Sequence, residues 1–299
     1  MKFTSIHFLT VLLTLLNYAC IAQQKTIIAD GAELTLVSEG YKFTEGPAVD
    51  KNGNVFFTDQ PNDRILQWDA KDNSVSVYMQ PAGRANGLYF DNHGNLLAAA
   101  DEKNELWKID SDKNVTVLLS DYESKKLNGP NDIWIDAHGG IYFTDPYYQR
   151  PYWDRKEPDI KEQRVYYITP DMKEVQIVIS DMVRPNGIIG TPDGKTLYVA
   201  DIGDKKTYSF HINADGSLSD KKLFIELGSD GMTLDNKGNL YLTGDGVTVF
   251  DSNGNQIEHI TNDKKWTANV TFGGKDQDIL FITASDAVFT LQMNVQGVR

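Results

Sequence analysis

A polar residue whose side chain carries an oxygen recurs six times in this chain, each time at the start of a short apolar segment. The six ring positions, as we call them, are Glu45, Asn86, Asn131, Asn186, Asp230 and Asn269. A turn containing glycine and a second apolar strand follow each of them, as in residues 46–49 and then 54–58. Repeats of about 40–55 residues built from short strands and tight turns are typical of propeller blades. The sequence therefore predicts an all-β fold, a six-bladed β-propeller.

The two ends of the chain are expected to share one blade. After Asn269 the sequence has room for only three strands, whereas an alternating stretch at residues 33–38 precedes the first repeat. Pairing that N-terminal strand with the last blade closes the ring and removes an exposed sheet edge. Because no linker rich in Ser, Gly or Pro interrupts residues 23–299, we predict a single propeller domain.

The ring positions predict a site for a hard cation. In a propeller the first strand of each blade lines the central channel, so six equivalent strand starts place six oxygen-bearing side chains around one axis. Carboxylate and amide oxygens suit Ca²⁺, and the sequence has no His-x-His or His-Glu-x-x-His motif for zinc. The alternative is that Asn and Asp occur here only because they favour turns and strand entries.

The first 22 residues have the features of a signal peptide. Lys2 supplies a positive start, residues 8–16 are mainly apolar, and small residues lead to Ala22. We therefore expect an exported protein, periplasmic or secreted, with lipid attachment at Cys20 as the alternative. The apolar run is too short to span a bilayer, so no transmembrane segment is expected. The formal net charge of −13 disfavours nucleic acid as a partner, and we expect a monomer that binds a small molecule.

A long insertion interrupts the third repeat at residues 145–164. It carries four aromatic residues and two arginines, namely Tyr147, Tyr148, Tyr152, Trp153, Arg150 and Arg155. A long loop in a compact domain is usually functional, and this one follows a second strand that returns to the end of the channel where the ring positions lie. We expect it to cover the channel and to contact substrate through Tyr147 and Arg150. The alternative is that its aromatic residues pack against blades three and four.

Several motifs of the chain resemble those of the gluconolactonase/regucalcin (senescence marker protein) family. They begin at Glu45-Gly46-Pro47 and include residues 128–132, 184–187, 230–232 and 269–274, in order along the chain. The resemblance implies a divalent ion held by Glu45, Asn131, Asn186 and Asp230. The ion implied first is Ca²⁺, with Zn²⁺, Mg²⁺ and Mn²⁺ as alternatives. Asn86, Asn128 and Asn269 are then left to contact substrate or to support the ligands.

The activity that the resemblance implies is hydrolysis of a lactone, most directly a sugar lactone such as gluconolactone. A metal ion polarises a ring-ester carbonyl, and the resemblance gives Asp230 the role of the base that takes a proton from water. No Gly-x-Ser-x-Gly motif supports a serine nucleophile. Two alternatives stay open at this point. One is a non-enzymatic propeller that binds calcium or another ligand, and the other is a hydrolase of different esters or organophosphates at the same site.

Overall fold

The structure is a computed structural model that describes residues 26–298. Its strands form six four-stranded antiparallel sheets, the blades, and a small hairpin of Asp121–Tyr122 with Lys125–Lys126. A single 3₁₀ turn at Gln60–Asn62 is the one helical element in this range. The predicted signal peptide and Cys20 lie outside the described residues.

The strands of blades one to five follow chain order outward from the channel. Blade one consists of Thr44–Val49, Val55–Asp59, Arg64–Trp68 and Val75–Met79, and blade two of Ala85–Phe90, Leu96–Ala100, Glu105–Ile109 and Val115–Leu119. Blade three consists of Ile133–Ile135, Ile141–Asp145, Gln163–Ile168 and Val175–Met182, and blade four of Pro185–Gly190, Thr196–Asp201, Lys206–Ile212 and Leu218–Ile225. Blade five consists of Met232–Leu234, Leu240–Gly244, Gly246–Phe250 and Gln256–Ile260.

Blade six joins the two ends of the chain. Its inner strands are Thr267–Gly273, Ile279–Ala284 and Ala287–Gln292, and the N-terminal strand Thr35–Glu39 pairs antiparallel with the last of these. This arrangement confirms the predicted six-bladed propeller and its closure by the N-terminal strand. The outer strand lies at 35–39, close to the predicted 33–38.

The core lies between neighbouring sheets and not within any one of them. Strand Val55–Asp59, second from the channel, is buried along its whole length, whereas the outer strand Val75–Met79 is partly exposed. Phe57 of blade one packs near Phe281 of blade six, with 5.5 Å between ring centroids. Such contacts between blades hold the channel ends of the sheets together.

No helix in the part of the chain that the structure describes is long and apolar enough to cross a membrane.

Candidate active site

Glycines bring the ring positions of neighbouring blades into contact. Four ring residues are each followed by glycine, and a Cβ added at any of these glycines would press against the ring residue of the next blade. The pairs are Gly46 with Asn86, Gly87 with Asn131, Gly187 with Asp230 and Gly231 with Asn269. The Gly87 amide also donates a hydrogen bond to the Asn131 carbonyl at 2.8 Å. The repeated pair of a polar residue and glycine in the sequence is therefore a packing requirement at the axis.

Blade three has Asp132 where those four blades have glycine. Its side chain is buried, and Asn269 Nδ2 donates to both of its carboxylate oxygens, at 3.1 and 3.2 Å. The same Nδ2 lies 3.4 Å from Glu45 Oε2. Asp132 was not among the residues predicted from the sequence. The signal was present, because an acid replaces glycine at this position in one repeat.

Three carboxylates therefore share the end of the channel. Burial raises the pKa of Glu45 well above its usual range, and the charges of Asp230 and Asp132 raise it further. Burial, with the charge of Asp230, raises the pKa of Asp132 to about 8. Burial also raises the pKa of Asp230 to about 6, against the hydrogen bonds from Trp266 and Asn186 that lower it. Acids so close together, two of them buried and Asp230 half-buried, need either protons or a cation to balance their charge.

Asp230 is held through both of its carboxylate oxygens. Asn186 Nδ2 donates to Oδ1 and Trp266 Nε1 donates to Oδ2, each at 2.6 Å. Asn186 Nδ2 also donates to the Tyr148 hydroxyl at 3.0 Å. These contacts form a continuous row of Tyr148, Asn186, Asp230 and Trp266 at the mouth of the channel. Neither Tyr148 nor Trp266 is among the site residues predicted from the sequence, although Tyr148 is one of the aromatic residues of the insertion.

The donor atoms at the ring suit a divalent cation. Asn86 Oδ1 and Asn186 Oδ1 are buried acceptors without a hydrogen-bond partner among residues 26–298. No group of three or more His, Cys, Asp or Glu side chains in that range is arranged to hold a metal by itself. A cation here would thus need amide oxygens beside the carboxylates, which is the mixed oxygen set that Ca²⁺ accepts. Glu45, Asn131, Asn186 and Asp230 would hold it.

The long loop of blade three is anchored on blade two. Asp101, buried at the end of strand Leu96–Ala100, accepts hydrogen bonds at Oδ2 from Arg150 Nε at 2.7 Å and from the Tyr152 hydroxyl at 2.8 Å. Gln60 Nε2 donates to the same oxygen, and Trp153 Nε1 donates to the Asp101 carbonyl. Tyr152 and Trp153 thus pack against blade two and not against blades three and four, whereas Tyr148 contacts Asn186 of blade four, as the alternative above expects.

The predicted substrate residues of this region differ in what they touch. The Tyr147 hydroxyl donates to Gln149 Oε1 within the loop. Asn128 is fully buried, and its Nδ2 donates to the Glu162 carbonyl, so its side chain packs beneath the loop. Arg150 uses Nε for Asp101, and no hydrogen bond within residues 26–298 uses its two terminal nitrogens. Among the four aromatic side chains of the loop, Tyr148 is the one hydrogen-bonded to a ring residue.

Several known proteins are similar to this chain in sequence and in fold. The family model described as the SMP-30/Gluconolactonase/LRE-like region matches residues 43–286. A gluconolactonase of Zymomonas mobilis is 28% identical over 297 residues, which cover 88% of this chain and 82% of that relative. The solved gluconolactonase of Xanthomonas campestris is 29% identical with a TM-score of 0.83, covering 89% of this chain and 91% of that chain. A regucalcin of Agrobacterium tumefaciens, described as calcium-binding, shares the fold at 21% identity and a TM-score of 0.76, covering 89% and 96%. The chain belongs to the SMP-30/gluconolactonase/LRE-like family.

Proposed function

We propose that this protein is a divalent-metal-dependent hydrolase that opens the ring of a sugar lactone such as gluconolactone. The observation that carries the proposal is the 2.6 Å contact between Asn186 and Asp230, which belong to the channel ends of blades four and five, beside the buried acid Glu45. The names of relatives support the reaction, since they include gluconolactonase and lactonase. The predicted enzyme class, a lactone hydrolase, agrees with those names.

The ring residues have two roles in the proposed reaction, metal binding and proton transfer. A divalent ion, when bound, polarises the lactone carbonyl and stabilises negative charge on its oxygen. Glu45, Asn131 and Asn186 would hold the ion, together with Asp230. Asp230 also takes a proton from the attacking water. Each carboxylate oxygen of Asp230 accepts one hydrogen bond, from Asn186 or from Trp266, and has a further lone pair that can accept a proton from water.

Ca²⁺ is the ion that we propose. Oxygen donors from carboxylates and amides favour a hard cation, and the regucalcin that shares this fold is described as calcium-binding. Zn²⁺, Mg²⁺ and Mn²⁺ are the alternatives. Reconstituting stripped protein with each ion in turn, at matched free concentration, tells them apart.

The test is ring opening of D-glucono-1,5-lactone by protein stripped with a chelator. We expect the enzymatic rate above spontaneous hydrolysis to fall about 100-fold or more, since the ion stabilises transition-state charge by several kcal/mol, and to return with the ion. Full activity in protein shown to be metal-free by elemental analysis would contradict the proposal. Tight Ca²⁺ binding without hydrolysis of sugar lactones, alkyl lactones or organophosphates would favour the non-enzymatic alternative.

We also propose that the protein is exported. Cell fractionation and N-terminal sequencing of the processed chain test this, with Gln23 as the expected first residue. A lipid-modified Cys20 at the N-terminus would instead support membrane anchoring.

A further inference from the structure

Trp266 is a large aromatic residue left exposed beside the half-buried carboxylate of Asp230. Its relative exposure is 36%, whereas Trp68, Trp134 and Trp153 are exposed by 2%, 5% and 5%. Its indole N–H donates to Asp230 Oδ2 at 2.6 Å. An indole that only filled space between blades would be covered like these three. This ring presents apolar surface next to the proposed base.

The loop that carries Trp266 is rigidly held. The Trp266 amide donates to Ser285 Oγ, and the Ser285 hydroxyl donates back to the Trp266 carbonyl, both at 3.1 Å. Lys264 Nζ lies 3.0 Å from Glu39 Oε2 and 3.1 Å from Asp286 Oδ1. The loop at residues 261–266 is thereby tied to the outer strand of blade six and to the turn at residues 285–286 of the same blade. The exposure of the indole is a property of a fixed loop and not of a loose one.

The indole of Trp266 lies beside a glycine of blade five. A Cβ added at Gly244 would meet Trp266 Cη2 at 3.6 Å, which is ordinary van der Waals contact. The six-membered ring therefore lies close to the backbone at the end of strand Leu240–Gly244. The hydrogen bonds of its backbone and of its N–H orient the indole, and its remaining surface faces the mouth of the channel.

Polar groups lie at the other end of the row that crosses Asp230. The Tyr148 hydroxyl contacts Asn186, and the guanidinium groups of Arg150 and Arg184 lie 5.5 and 4.9 Å from the Tyr148 ring centroid. A ligand above Asp230 would meet hydroxyl and guanidinium donors on one side and apolar indole on the other. A sugar lactone carries hydroxyl groups and also an apolar face of C–H bonds, so it matches both sides.

We propose that Trp266 is a specificity-determining and positioning residue, whose indole packs on the C–H face of a sugar lactone while its N–H orients the Asp230 carboxylate. The sugar lactone in this statement rests on the function proposed above. The two roles use different parts of one side chain, so different substitutions separate them. Trp266→Phe keeps an aromatic ring and removes the N–H donor. Trp266→Leu removes both.

The chain offers a matched control in Trp107. Its indole N–H also donates to a carboxylate, Glu105 Oε2, at 2.6 Å, but on the third strand of blade two. For Trp266→Phe we expect kcat on D-glucono-1,5-lactone to fall about ten-fold, the usual value of a hydrogen bond to a charged group, with KM within about two-fold. For Trp266→Leu we expect a similar fall in kcat and a rise in KM of about five- to ten-fold from lost aromatic packing. Trp107→Phe should change neither constant.

A binding measurement tests the same inference without catalysis. D-Glucono-1,5-lactam, an amide that resists hydrolysis, is titrated into Ca²⁺-loaded protein by calorimetry. We expect the wild-type protein and Trp266→Phe to bind it with similar Kd, and Trp266→Leu to bind it about five- to ten-fold more weakly. This result would support packing of the indole on the sugar ring even if the wild-type protein opened no lactone. In that case only the proposed reaction would fail.

Two outcomes would overturn the inference. Unchanged KM and Kd in Trp266→Leu, with only a lower Tm, would mean that the indole does no more than fill space. If Ca²⁺-loaded wild-type protein did not bind gluconolactam, a sugar ring could not be the ligand of the Trp266 indole.

Discussion

Two loops at the mouth of the channel carry aromatic residues, and they use them in opposite ways. The long loop at residues 146–162 has four, of which Tyr152 and Trp153 bind Asp101 of blade two and Tyr147 stays within the loop. The short loop at residues 261–266 has one, Trp266, which donates directly to Asp230. The number of aromatic residues in a loop therefore says little about how many face the site.

The difference follows from what each loop needs for its own stability. A long segment without helix or strand must bury apolar side chains of its own to stay ordered. The loop at residues 146–162 does so with Trp153, which is 5% exposed, against blade two. A six-residue connection tied at its ends needs no such core, and its aromatic side chain is free to face a ligand.

The largest expected effect lies at Asp230, where both loops converge. Asp230→Asn should lower kcat about 100-fold or more, because an amide cannot take a proton from water, and should weaken metal binding less. Glu45→Gln is the contrast, since it should act mainly on the dissociation constant of the metal through lost charge. Steady-state kinetics and calorimetric metal titration measure the two effects. Equal kcat for Asp230→Asn and the wild-type protein would remove Asp230 as the base.

The anchoring of the long loop predicts a loss of stability at Asp101. Asp101→Ala leaves Arg150, Tyr152 and Gln60 without their shared acceptor, and removing one partner of a buried ion pair costs about 3 kcal/mol. Urea unfolding measures this change. The control is Lys173→Ala, which removes an exposed ion pair with Asp171 but keeps the turn that Asp171 stabilises, and it should leave the unfolding midpoint unchanged. An unchanged midpoint for Asp101→Ala together with a shifted KM would mean that the loop serves the ligand and not its own packing.

The raised pKa values of Asp132 and Asp230 predict that the Tm of the metal-free protein depends on pH. The pKa values of Asp230 and Asp132 are raised to about 6 and about 8 in the folded state, so the folded chain binds more protons than the unfolded chain between the ordinary carboxyl pKa and those values. Raising the pH across that window must then destabilise the fold. We expect the Tm in chelator to fall from about pH 5.5 to 8 and added Ca²⁺ to abolish the fall. A Tm that rises with pH in chelator would contradict raised pKa values for these two aspartates in the folded protein.

The smallest expected effect separates two neighbours in the long loop. Tyr148→Phe removes the hydroxyl that contacts Asn186 and should lower kcat/KM about three-fold, as for one ordinary hydrogen bond. Tyr147→Phe removes a hydroxyl that contacts only Gln149 and should leave kcat/KM unchanged. The reverse pattern would restore Tyr147, the residue predicted from the sequence, as the substrate contact.

The ring positions could be predicted from the sequence because the same pattern recurs in every blade. An oxygen-bearing residue followed by glycine marks both a strand start and a close approach of blades, and topology does the rest. Asp132 shows the limit of that pattern, because the acid that replaces glycine in blade three is not itself one of the repeated ring positions. Trp266 had no such signal. It lies 36 residues after Asp230, in another blade, and no local pattern predicts the direction of its ring.

The sequence alone determined the all-β class, the six blades and the closing strand, because alternation of apolar residues and repeated turns are local properties that repetition reinforces. Only the tertiary structure decided which side chains meet at the channel. Asn186 reaches Asp230 over 44 positions, and Arg150 reaches Asp101 over 49. Contacts at that separation depend on how the blades are stacked and on the rotamers that packing leaves available. Neither the stacking of the blades nor the choice of rotamer can be predicted from the periodicity of a single strand.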